Sequence, residues 1–168
     1  RTPDGARSVL AALPTQPGKD AILWVNGITA GPEGSLYVTD NDTIRKISRT
    51  GAVSTVRGGI VVPDCPNDLL PDTSKGPNLP YLRGLAVAPD GTIYAAATGC
   101  RSVVQISPEG ALKTILQAER PWSPTGVALS GRDVYVLEYL HTPGDDRKEW
   151  TPRVRRIAAD GEVKTNPN

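Results

Sequence analysis

Phenylalanine and methionine are both absent from this chain, histidine occurs once, at His141, and cysteine only twice. A single histidine excludes a multi-histidine zinc site built within the chain. No Gly-x-Ser-x-Gly occurs, so a Ser/His/Asp triad would lack its strained nucleophile turn. No apolar run approaches the roughly 18 to 20 residues that span a bilayer, and no basic-then-apolar start resembles a signal peptide. An excess of one charge is lacking too. Nineteen Lys and Arg face 18 Asp and Glu, with neither a basic stripe nor an acidic block, so neither nucleic acid nor a membrane is expected as a partner. The chain opens on Arg1-Thr2-Pro3-Asp4-Gly5, which reads as a turn inside a structural unit, so upstream sequence, any export signal included, is expected to have been removed.

What is abundant is turn-forming residues. Glycine and proline make up 33 of 168 positions, in a chain of the length of one ordinary domain. The turns punctuate a repeat. Gly27 to Asp40, continuing through Thr43–Ser48 and Thr50–Val56, reappears at Gly84 to Ala97 with Ser102–Leu116, and again at Gly126 to Leu137 with Arg153–Val163. Each copy reads as four short strands. The first ends in a Pro-Glu-Gly or Pro-Asp-Gly turn, where Pro fixes φ and Gly accepts positive φ. The second, such as Leu36-Tyr37-Val38, is apolar nearly throughout, as a central strand covered on both faces should be. The third alternates, as in Ile44-Arg45-Lys46-Ile47, and a further Gly-containing turn leads to the fourth. Helical repeats of this length would need segments of 3.6-residue period, which are missing. Strand-only units 42 residues apart, from Gly84 to Gly126, match the blades of a β-propeller.

The expected architecture is therefore all-β: one partial β-propeller of about three four-stranded antiparallel blades over residues 1–168. Residues 1–13 read as the outer strand of a preceding blade, 22–58 as a blade, 59–80 as an insertion between blades, 81–118 as a blade, and 122–165 as a blade with a long loop at 138–152. An open arc leaves unpaired edges, so complementary strands are expected as a partner.

The cadence Gly-Ile-Thr-x-Gly-Pro-Glu-Gly-x-Leu-Tyr-Val-Thr-Asp at Gly27 to Asp40, followed by Ile-Arg-Lys-Ile, resembles the NHL-repeat propellers and the related streptogramin-lyase-like and SMP-30/gluconolactonase-like proteins. The resemblance implies a six-bladed ring of which this chain is about half, completed by further blades of its own chain or by a second copy. For activity it is open, because propellers host lyases, lactonases and pure binding modules.

Links between blades and loops between second and third strands emerge on one face of a propeller, the usual ligand face. Trp24, Asn26, Trp122, Tyr139 and Trp150 are expected there, where they suit a small organic molecule, a sugar or a protein; Trp24 and Trp122 equally suit packing between blades. Asp40, Asn41 and Asp42 could offer oxygens to Ca²⁺ or another divalent ion, with Glu138 at the matching place in the third copy, or could cap their own turn. The resemblance implies an axial metal held by such ligands in the SMP-30-like enzymes, and a general base in the streptogramin-lyase type, for which His141 beside Glu138 and Tyr139 is a weak candidate. Asp145 to Glu149 alternates in sign and reads as a solvated loop.

Cys65, in the first link, and Cys100, in the second blade's loop, should share the loop face. A disulfide there would stabilise by roughly 3 kcal/mol and place the protein in an oxidising compartment, secreted or periplasmic in a bacterium; two reduced thiols in a cytosolic protein are the alternative. Two functions remain: a non-enzymatic ligand- or protein-binding module, or a metal-assisted lactonase or lyase whose remaining ligands lie in other blades.

Overall fold

The computed structural model describes residues 5, 8–12, 25–66, 79–140 and 151–165. These form three antiparallel sheets, each of four strands in sequence order. The first holds β1 (Val25–Ala30), β2 (Leu36–Asp40), β3 (Thr43–Ile47) and β4 (Val53–Arg57); the second holds β5 (Leu82–Val87), β6 (Ile93–Ala97), β7 (Ser102–Ile106) and β8 (Leu112–Gln117); the third holds β9 (Trp122–Ser130), β10 (Asp133–Leu140), β11 (Pro152–Ile157) and β12 (Val163–Thr165). The sheets are successive blades of a partial β-propeller.

The repeat in the sequence becomes a repeat in backbone geometry. Each β3–β4 type of turn closes in the same way: Gly51, Gly110 and Gly161 have φ of 86°, 88° and 89°, and each donates its amide to the carbonyl three residues back, Ser48, Ser107 and Ala158. A side chain at those positions would strain the turn, which is why glycine recurs there. The second strands are buried almost throughout in the first two blades, as their apolar sequences require.

Two apolar clusters hold the arc together. Tyr37 and Ile44 of the first blade, with Ile60 and Val62 of the link, meet Leu85, Ile93, Ala95, Val104 and Ile106 of the second. Val103 and Leu116 of the second blade meet Val134, Val136 and Ile157 of the third. The same face of each blade thus receives its predecessor. The innermost strands pack side by side, β1 on β5 and β5 on β9. Their approach is close: a Cβ on Gly84 would lie 2.7 Å from Gly126 Cα and 2.8 Å from Thr125 O, so only glycine lets these backbones meet.

Residues 8–12, expected to belong to an outer strand, lie in no strand. Leu10 and Ala11 instead rest on the open face of the first blade beside Val25 and Ile28.

Candidate functional site: the loop face

The links and the β2–β3 type of loops do converge. The Ile60 amide donates to Asp42 O, the Leu82 amide to Asn41 O at 2.7 Å, the Gly99 amide to Pro80 O and the Ala118 amide to Arg101 O. Two hydroxyls bond across the second boundary: Thr98 Oγ1 donates to Pro124 O and Ser123 Oγ to Thr98 O. A disulfide joins Cys65 to Cys100, tying the first link to the second blade's loop. Each blade is therefore laced to the next on this one face.

Every inner strand is irregular at its loop-face end. The pairing register slips between Val25 and Gly27, between Leu82 and Leu85, and between Leu137 and its neighbour Glu138 where Thr125 is passed over. Asn26, Arg83 and Thr125 occupy matching places in these bulges, devices that re-aim a side chain. Asn26 Nδ2 donates to Leu82 O at 3.2 Å, linking the first two inner strands. Arg83 is exposed and lies 5.9 Å from the Tyr81 ring centroid.

The expected metal ligands are engaged otherwise. Asn41 turns the chain at φ 55°, and Asp42 Oδ1 accepts from the Thr43 hydroxyl, so this pair builds the turn. Asp40 is buried with its carboxylate 3.9 Å from Arg45 Nε. Glu138 is completely buried, bonded to Arg153 Nε at 2.6 Å and 3.8 Å from Arg155 Nη1. A carboxylate already neutralised by guanidinium groups is a poor ligand for a hard cation, which must displace the arginine to bind. Among the described residues no group of three or more His, Cys, Asp or Glu side chains is placed to hold a metal ion. Engaged in this way, Asp40 and Glu138 do not, among the described residues, fit the axial metal that the resemblance implies.

Arg153 also covers the half-buried Trp122 ring, its guanidinium carbon 4.0 Å from the centroid, and Arg101 Nη1 donates to Trp122 O. Trp122 thus sits on the boundary between second and third blades, braced by arginines from both sides. Tyr139 pairs with Ser123 and Pro152 within the third blade's own sheet. Trp24, Trp150, His141 and the Asp145–Glu149 stretch lie outside the described residues.

Two carboxyls held below their ordinary range, Asp90 and Glu109, lie in the turns at the opposite face. The Thr92 amide, and then its hydroxyl, hold Asp90 down; the Ser107 hydroxyl does so for Glu109. Both shifts come from local turn bonds rather than from a catalytic grouping.

The arginines escaped the sequence reading, yet a signal was there. Asp40 with Arg45 and Glu138 with Arg155 occupy matching positions in the first and third copies, while the second copy has Ala97 and Val104. Acid and base are lost together, which marks them as a pair.

No family model and no curated protein matches the chain. Solved structures do. A streptogramin B lyase superposes with a TM-score of 0.57 at 18% identity over 86% of this chain and 41% of its own. A gluconolactonase from Xanthomonas campestris gives 0.59 at 11%, over 86% and 48%. The extracellular domain of a hybrid two-component system protein from B. thetaiotaomicron gives 0.51 at 12%, over 89% and 18%. The chain spans less than half the length of each. At these identities the likeness is one of fold.

Proposed function

We propose that this arc belongs to a non-enzymatic binding module of a secreted or periplasmic protein, with a small molecule or protein held on the loop face. The burial of Glu138 between Arg153 and Arg155 carries this reading, because it engages in structure the carboxylate that metal-assisted chemistry would need. The exposed Arg83, Asn26 in its bulge and the half-buried Trp122 supply a charged, a polar and an aromatic contact for a ligand instead. The disulfide supports an oxidising compartment.

Calorimetric titration with Ca²⁺ to about 5 mM, beyond the weakest range of extracellular calcium modules, is expected to give no saturable heat. A fluorescence screen of sugars and small organic acids is expected to find ligands whose affinity falls at least tenfold in both Trp122→Leu and Arg83→Ala. Saturable Ca²⁺ binding that Asp40→Asn removes would overturn the reading. It would favour the alternative, a lactonase or lyase completed by ligands from other blades, which the fold likeness to a lyase and a gluconolactonase supports. Lactone hydrolysis would then be the assay.

A further inference from the structure

The three blades are one structure seen three times, so each position reports what its counterparts touch. On the face that receives a preceding blade, Leu85 of the second blade is 4% exposed, whereas its counterpart Ile28 in the first is 64% exposed. Around Ile28 runs an apolar groove of about 400 Å³, lined by Leu10, Val25, Leu36, Val38 and Ile47. On the opposite face, which meets the following blade, Ile44 and Val103 are both fully buried, but their counterpart Val154 in the third blade is 39% exposed. Backbones repeat the pattern. Gly27 is met by Arg83 O of the next inner strand and Gly84 by Gly126 and Thr125, while Gly126 meets only Leu137 of its own blade. Among the described residues, one chain therefore carries both halves of an inter-blade interface, the Ile28 half lined only by Leu10 and Ala11 from outside its own blade.

We propose that two copies of this chain join head to tail, the Ile28 face of each against the Val154 face of the other, closing a ring of six blades. A head-to-tail contact closes when its rotation completes a circle and otherwise propagates as a fibre. Two copies supply the length of one solved ring, since this chain covers 41–48% of the lyase and gluconolactonase chains. The occupant of each face is then the surface that the internal repeats show to fit it, an apolar blade face with a glycine-lined inner strand.

The test is sedimentation equilibrium of the 168-residue chain, with Ile28→Asp and Val154→Asp as variants. Both side chains are exposed within one chain, so circular dichroism should report folded proteins. Wild type is expected at twice the 17.8 kDa of one chain. Each variant places a charge in both interfaces of the ring and is expected to raise the dimer dissociation constant at least about 100-fold. An equimolar mixture of the two restores one unmodified interface per ring, so dimer should partly return. A wild-type monomer at about 100 μM, a dimer lost with Ile28→Asp but unaffected by Val154→Asp, or open polymers in place of dimer would each overturn the proposal.

Discussion

Glu138 and its two arginines pose the sharpest question at the scale of single residues. A buried ion pair is harder to break than to replace, because a stranded charge loses both water and partner. Glu138→Ala strands Arg155 and removes a bond from Arg153, and is expected to cost about 3 kcal/mol or more by urea unfolding. The second blade shows how to remove the pair without that penalty. Glu138→Ala with Arg155→Val copies Ala97 and Val104, and the double variant is expected to be more stable than the single one. Asp90 gives a pH-dependent prediction. Its carboxyl accepts from the Thr92 amide at 2.9 Å and is held below its ordinary value. A depressed folded-state pKa contributes stability above the unfolded value, near 4, and loses it as pH falls through the folded value. Asp90→Asn should therefore lower the urea midpoint at about pH 7, and the difference should shrink as the pH falls below about 4.

Between elements, glycine and the disulfide set how blades approach. Gly84→Ala puts a methyl group 2.7 Å from Gly126 Cα, where both sides are backbone and neither can turn aside. A cost of about 1–3 kcal/mol is expected in thermal or chemical unfolding, with Gly59→Ala as a control on backbone strain alone, since that glycine has a positive φ and open space around it. The disulfide closes a separation of 35 residues. Removing it with Cys65→Ser and Cys100→Ser is expected to cost roughly 3 to 4 kcal/mol by restoring the freedom of that loop in the unfolded chain. Dithiothreitol should reproduce the effect in wild type and do nothing further to the double variant.

At the scale of the whole molecule, among the described residues the second blade is covered on both sides, by the two apolar clusters. Local opening follows coverage. Hydrogen exchange read by mass spectrometry is expected to show β6 and β7 protected longest, and β4 and the short β12 exchanging first. The length of the arc was legible because turn residues recur at fixed offsets: Gly51, Gly110 and Gly161 each mark a position where only positive φ closes the turn. The strand types were legible too, since Leu36-Tyr37-Val38 and Ile93-Tyr94-Ala95 are apolar on both faces. For residues 8–12 the pattern is that of a fourth strand following a turn, but pairing depends on a neighbouring sheet that the letters do not show.

By itself the sequence determined the blade count, the turn positions, the convergence of Cys65 and Cys100, and that one histidine is all the chain can offer. These depend on local periodicity and on which residue types exist at all. Only the tertiary structure decided what the carboxylates do. Asp40 and Glu138 look like ligands in a row of letters, but Arg45, Arg153 and Arg155 reach them across neighbouring strands. Burial removes the water that would otherwise compete, so Glu138 bonds Arg153 closely and Asp40 lies within ion-pair reach of Arg45. Likewise Ile28, Leu85 and Val127 are equivalent in sequence, and the packing of one blade on the next is what leaves the first of them open.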